Sequence, residues 1–222
     1  MKIAYQNENV TLWHGDSLST DHETDVLFTD PPYGELGYDW DKRPPWATLP
    51  VKCSCAVIFG HQPHMAREVL PAFEQRGLPF RYEWIWEKPI GRLWNHSRPI
   101  RKHELAWVFG SIEGSDLRQG FGGQHDSIIS AMTFQAYCRA HPEAEGHPTQ
   151  KPLVLVSAML RSLPPGRVLD PFAGTGTTLI ACLEQGRPCV GIEIDERWVE
   201  VARRRLERWH AQGRLDFGTA NK

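Results

Sequence analysis

The stretch VLDPFAGTGTTLIACLEQG, from Val168 to Gly186, passes from an apolar run through a glycine loop into a segment of helical character. Gly174 and Gly176, one residue apart, let a ligand approach the backbone, and the helix behind them offers unpaired N–H groups at its N-terminus. Gly186 has the residue type that ends a helix. A phosphate-binding loop would need Lys followed by Ser or Thr after its last glycine, and Thr177-Thr178 stand there instead. About twenty residues beyond the loop, CVGIEID forms a second apolar run that ends on Glu193, where a doubly wound fold holds a ribose. Strand, loop, helix, strand and acid together specify an adenosine-containing ligand. The competing reading is a tight structural turn followed by a helix-capping acid, a description that suits Asp195 better than Glu193. A dehydrogenase fingerprint lacks its third glycine, replaced by Leu179 or a near neighbour.

Outward from this stretch, short β-branched and apolar runs alternate with helical segments, the pattern of parallel strands joined by crossovers. Strands are expected near Val10–Trp13, Val26–Thr29, Ala56–Phe59, Trp84–Trp86, Leu105–Phe109, Arg167–Leu169 and Cys189–Ile192, and helices over His64–Gln75, Pro152–Leu163, Thr177–Gln185 and Glu196–Trp209. The last helix carries Trp198, Val201, Ala202, Leu206 and Trp209 at helical spacing, so its arginines read as a solvated face. The 222 residues suit one α/β domain over 1–222, with a loop-rich insertion at 110–146 rich in glycine and poor in periodicity. Hydrophobic content of 41% and charged content of 23% are ordinary for a globular protein. No apolar run of membrane-spanning length and no secretion signal is seen, which predicts a soluble intracellular protein without a membrane partner. Cys53, Cys55, Cys138, Cys182 and Cys189 form no repeated pair at zinc spacing, and Cys53-Ser-Cys55 with His61 and His64 is too loose a pattern, so no metal is expected. A net charge of −2 leaves any nucleic-acid contact to a local patch.

A second motif, TDPPYGELGYDW from Thr29, also follows an apolar strand. Asp30 therefore lies at a strand's carboxyl end, where open parallel sheets bind ligands. Pro31 and Pro32 fix φ and lack N–H groups, so nearby carbonyls form a rigid array of acceptors. An array of acceptors suits an exocyclic amino group. Drawing both its hydrogens out of the ring plane would localise the nitrogen lone pair, while Tyr33 stacks on the ring face.

These residues resemble the amino-group (N6-adenine/N4-cytosine) DNA methyltransferases, in the group whose Asp-Pro-Pro-Tyr motif precedes the Phe-x-Gly-x-Gly motif. The resemblance runs from Asp16 to about Arg205, apart from 110–146. It implies a doubly wound, mostly parallel, seven-stranded Rossmann-like sheet in circularly permuted order, built catalytic half first, with the two motifs meeting at neighbouring strand tips. It implies S-adenosyl-L-methionine as cofactor, DNA as partner, and a cytoplasmic enzyme of bacterial or phage origin with a restriction-modification context. Asp30, Pro31, Pro32 and Tyr33 match its catalytic motif. Asp170, Phe172, Ala173, Gly174, Thr175, Gly176 and Thr177 match its cofactor loop, Glu193 its ribose-binding acid and Asp16 a position near the cofactor adenine. Asp30 also borders the cofactor, and HPTQKP, with Thr149 and Lys151, resembles the segment lining the methionine end. RKHELAWVF, from Arg101 to Phe109, resembles a late strand of the catalytic half. Asp at the first motif position leans toward adenine N6, with cytosine N4 as the alternative.

For DNA contact, Lys88, Arg92, Trp94, Arg98, Arg101 and Lys102 lie in a segment, Lys88 to His103, with five Lys/Arg residues and no acid. By contrast, 110–146 holds five acids against two arginines and is short for a recognition domain. Arg118, Gln119, Gln124 and His125 then read bases with little phosphate help, or specificity is low, or a second copy in a homodimer supplies it. An RNA or protein-amide methyltransferase, and a silent nucleotide-binding module, remain as rivals. An Asp30 in place of Asn and an intact amino-group motif respectively speak against them.

Overall fold

The computed structural model describes residues 1–34, 37, 41–92, 101–120, 127–130 and 150–216. Trp94, Arg98, Gln124, His125, Cys138, Thr149 and most of 110–146 lie outside the described residues. The strands are β1 (Lys2–Gln6), β2 (Val10–His14), β3 (His22–Glu23), β4 (Val26–Thr29), β5 (Val51–Lys52), β6 (Cys55–Gly60), β7 (Phe80–Arg92), β8 (Arg101–Gly110), β9 (Ile128–Ser130), β10 (Val168–Asp170) and β11 (Cys189–Glu193). The helices are α1 (Gln62–His64), which runs through a π-helical turn at Met65–Val69 into α2 (Leu70–Gln75), then α3 (Leu153–Ser162), α4 (Thr177–Glu184) and α5 (Glu196–Asp216). The π turn precedes Pro71, whose missing N–H and bulky ring disfavour a regular helical turn there.

Among the described residues, nine strands form one sheet in the order β1-β2-β11-β10-β4-β6-β8-β7-β9, and β3 pairs with β5 apart from it. The seven strands expected from sequence are its contiguous middle seven, and β1 and β9 add one strand at each edge. Lys2–Gln6 has no buried residue, and Ile128–Ser130 is only three residues long, so neither carries the apolar run that marks an interior strand. Neighbours from β2 through β11, β10 and β4 to β6 are parallel; β8 runs against β6, and β7 against β8. The sheet is thus mostly parallel. The chain builds β4, β6, β7 and β8 before it reaches β10 and β11.

Alternation along the strands sorts the core into two layers. Val26, Phe28, Cys55, Val57 and Phe59 pack with Leu155, Met159, Leu179, Val199 and Leu206 of α3, α4 and α5. Leu27, Ala56, Ile58, Leu169 and Ile192 face Met65, Val69 and Phe73 on the other side. All four side chains of β4 are buried, as a central strand covered on both faces requires. Each fully buried large apolar side chain contributes about 1.5–3 kcal/mol, so truncating Phe28 would open a void beside Phe59 in the first of these layers. Among the described residues, no helix is long and apolar enough to cross a membrane.

This topology puts the carboxyl ends of β2, β11, β10, β4 and β6 on one edge of the sheet. The amino end of β8 reaches the same edge, because Leu105 pairs with Gly60. Beyond Glu104 and Trp86, β7 and β8 continue as a two-stranded projection whose last pair is Arg92 with Arg101.

Candidate active site

Along that edge the residues singled out by sequence fall in a row. Gly15 follows β2 and donates its N–H to the Glu193 carbonyl at 2.9 Å, which sets Asp16 beside the tip of β11. The Asp16 carboxylate accepts from the Leu18 N–H at 2.9 Å and caps the short turn Ser17–Ser19. Glu193 is buried, and its two oxygens accept from the Gly174 and Asp195 N–H groups, each at 2.8 Å. With backbone donors from Gly174, Ile194 and Asp195, the carboxylate still keeps acceptor capacity, which suits a ribose hydroxyl. Burial pushes the Glu193 carboxyl above its usual range, opposed by those backbone donors. Donors from a ribose would favour the ionised form. Asp195 instead caps α5, accepting from the Arg197 N–H at 2.9 Å.

Asp170, at the tip of β10, lies where β4, β10 and α4 meet. Its Oδ1 accepts from Thr29 Oγ1 at 2.9 Å and from the Phe172 N–H at 3.2 Å, and its Oδ2 from Thr178 Oγ1 at 2.7 Å. The carboxylate therefore braces the loop from behind. Gly176 begins α4 at φ 78°, and a Cβ on it would stand 3.0 Å from the Ala202 Cβ, so its bare face receives α5. Arg205 clamps the same loop from α5, donating to the Thr175 carbonyl at 2.5 Å and to Thr175 Oγ1 at 2.9 Å. It is 3% exposed, which corrects the expectation of a solvated arginine face at this one position, while Arg197, Arg204 and Arg208 are exposed as expected. Position 205 is three residues after Ala202 and four after Val201, on the apolar stripe itself; that was the available signal.

The neighbouring tip, that of β4, carries Asp30. Leu169 of β10 pairs with Leu27 of β4, so the two motifs expected to meet do stand on adjacent strands. Tyr33 donates its hydroxyl to Asp30 Oδ1 at 2.5 Å and packs against the His61 ring with centroids 4.7 Å apart. Pro31 is buried and Pro32 half-buried. The chain leaving Tyr33 is pinned by Arg43, which donates to the Tyr33 carbonyl at 2.9 Å and pairs with Glu68 at 2.8 Å, and by Asp41, which accepts from the Gly34 N–H at 2.9 Å.

Lys151, just ahead of α3, donates to Asp30 Oδ2 and lies 3.1 Å from Glu104 Oε2 on β8. Its ammonium also stands 5.2 Å from the Phe59 ring centroid. Lys88 of β7 pairs with the other oxygen of Glu104. Burial alone would raise the Glu104 carboxyl, yet the two ammonium groups hold it at about 2. Burial and the negative charge of Glu104 lift Asp30 above the usual carboxylate range, against the pull of Lys151 and the Tyr33 hydroxyl. The two carboxylates keep Lys151 protonated despite its burial.

The sequence marks Asp30, Tyr33 and Lys151 as site residues but gives no sign of the network that joins them to Glu104 and Lys88. Lys88 read as a phosphate contact, but its side chain is 22% exposed and turned onto Glu104. Glu104 was overlooked because it stands as a lone acid ahead of an apolar run. Of the other predicted DNA contacts, Lys102 is exposed on β8, and Arg92 and Arg101 end the projection.

Residues 51–204 match the family model described as DNA methylase, which covers N6 and N4 enzymes. The chain belongs to the DNA methylase family. The matched segment starts after Asp30, but similarity to the type II methyltransferase M2.DpnII of Streptococcus pneumoniae extends further. The two are 43% identical over a match covering 93% of this chain and 93% of that protein. The type II methyltransferase M.SmaI of Serratia marcescens is 31% identical over 62% of this chain, which spans 49% of M.SmaI. Among solved structures, M1.HpyAVI in complex with SAM superposes with a TM-score of 0.66 and 25% identity, covering 88% of this chain and 99% of that one.

Proposed function

We propose that this chain transfers a methyl group from S-adenosyl-L-methionine to the exocyclic amino group of a base flipped out of DNA, adenine N6 in the first reading. The observation that carries it is the place of Asp30: a half-buried carboxylate on the strand next to the glycine loop, bordered by rigid prolines and an aromatic ring. The cofactor supplies a methyl group already activated by a sulfonium charge, so alignment is the protein's main task. Glu193 takes the ribose, Asp16 stands toward the adenine, and the loop from Asp170 to Thr177 cradles the rest, with Thr149 at the methionine end.

On the base side, Asp30 accepts one amino hydrogen and a main-chain carbonyl of the Pro31–Pro32 segment accepts the other. Tyr33 gives its ring face to the base, backed by His61. A base inside a duplex cannot reach a strand tip set among loops, so the nucleotide is extruded. The β7–β8 projection, with Arg92, Arg101 and Lys102 toward its end, meets the phosphates. The whole of 1–222 acts as one methyltransferase domain, and 110–146 is a reduced recognition region, completed by a second copy where specificity is high. Cytosine N4 remains the second reading because the family includes both base classes.

The test is methyl transfer from labelled cofactor to DNA, RNA and protein acceptors in parallel, followed by nucleoside analysis of the labelled DNA. N6-methyladenine is expected. N4-methylcytosine would replace the base assignment, and label confined to RNA or protein would end the DNA reading.

A further inference from the structure

Lys151 lies between two carboxylates that have different tasks. We infer that it is a positioning residue that exchanges between them: it sits on Asp30 while the base pocket is empty and moves wholly to Glu104 when an amino group arrives. The inference rests on the function proposed above. Its physical basis is the geometry of three side chains.

Both oxygens of Asp30 already carry internal donors, Tyr33 on Oδ1 and Lys151 on Oδ2. An incoming amino group needs one of those places, and the reacting nitrogen becomes positive as it gains a methyl group. An ammonium fixed on Asp30 would compete for the acceptor and oppose the developing charge. It has somewhere to go, because Glu104 Oε2 is 3.1 Å from its nitrogen while Lys88 anchors Oε1. The Lys151 side chain is 6% exposed, so its ammonium does not retreat to water, and the Phe59 face beside it lines the short path. No bond is made or broken in this exchange. One charged hydrogen bond replaces another, and an Asp30 oxygen is freed as an acceptor for the base.

The groups that act on Asp30 are Tyr33 from its own loop, Glu104 from β8, Lys151 ahead of α3 and Asp170 from β10, with His61 packed behind Tyr33 and Lys88 of β7 behind Glu104. Two of them give opposite predictions. Glu104→Gln removes a negative neighbour and leaves Lys151 committed to Asp30. Single-turnover transfer to unmethylated genomic DNA should fall about 10²-fold, the scale of a misplaced reacting group. Its acid limb should move to lower pH, while the cofactor Kd from titration calorimetry stays within about threefold. Lys151→Met should move the acid limb to higher pH. Opposite movement of the two limbs is the signature; a packing defect would lower rate and cofactor affinity together without moving either limb.

A Glu104→Gln enzyme with the wild-type rate and limb, or limbs that move the same way in both variants, would overturn the exchange. Should Glu104→Gln fail to fold, Lys88→Met at its partly exposed site takes its place. It leaves Glu104 to draw Lys151 more strongly, so an acid limb that does not rise would overturn the inference equally. Wild-type enzyme that methylates no DNA would remove the proposed function and this inference with it. Wild-type transfer with unresponsive variants would remove the inference alone.

Discussion

Around the glycine loop, the contacts that set its shape end largely on the main chain: Glu193 holds the Gly174 and Asp195 amides, Asp170 the Phe172 amide, and Arg205 the Thr175 carbonyl. Around Asp30 they run from side chain to side chain, through Tyr33, Lys151, Glu104 and Lys88. The first arrangement is a mould whose form is fixed before a ligand arrives, which lowers the ordering cost of binding. The second is a set of donors that can give way. A cofactor of constant shape suits the mould, and a base that must be admitted and released suits the exchangeable contacts.

The largest expected effect would separate the two regions cleanly. Asp30→Ala should lower methyl transfer by on the order of 10³-fold, as for the loss of a group that stabilises charge in the transition state. Cofactor affinity should stay within a fewfold of wild type, since no contact of the glycine loop ends on Asp30. Rapid-quench transfer assays and calorimetry read the two quantities. Equal loss of both would mean that the mould and the exchangeable half are one unit.

A reciprocal effect is expected from the other side. Arg205→Met leaves the buried Thr175 carbonyl without its guanidinium donor, at a cost of about 1–3 kcal/mol in unfolding free energy. Cofactor Kd should rise, and transfer at saturating cofactor should hold. Denaturant titration and calorimetry measure these. Unchanged stability with a lost maximal rate would move Arg205 out of the loop's support and into the chemistry.

The mould was largely legible in the sequence; of the exchangeable half Asp30, Tyr33 and Lys151 were legible as site residues, but the contacts that join them through Glu104 to Lys88 were not, for a physical reason. Glycines, a strand-terminal acid and a helix start are local features, and Val168–Gly186 with Glu193 contains nearly all of that arrangement in about 26 consecutive positions, near the scale of a βαβ unit. The middle strands were legible because burial on both faces makes continuous apolar runs, as in Val26–Thr29. The rest of the network that reaches Asp30 comes instead from positions 88, 104 and 151, which topology alone brings together. In sequence Lys88 reads as a phosphate contact and Lys151 as part of a cofactor-lining segment, and neither reading points to Glu104. Arg205 is the intermediate case: its helical phase placed it inside, but its charge argued for the surface.

The smallest expected effect concerns the seam between the regions, where Asp170 holds Thr29 of β4 and Thr178 of α4. Burial lifts its carboxyl to about 6 from an ordinary 3.8, although the two hydroxyls and the Phe172 amide favour the charged form. Because the folded-state value is the higher one, the native protein retains a proton that the unfolded chain releases between roughly pH 4 and 6, and stability falls as pH rises through that window. At 1.36 kcal/mol per unit the total is about 3 kcal/mol. Asp170→Asn keeps an acceptor for Thr29 and Phe172 and turns a donor toward Thr178, with no charge to titrate. The stability difference, wild type minus variant, should therefore decline across that window and stay level above it, as read by urea titrations at several pH values. A difference that is level throughout would mean that water reaches the carboxylate, and the seam would then be an opening between two parts that move apart rather than the fixed wall from which Asp30 and Glu193 take their spacing.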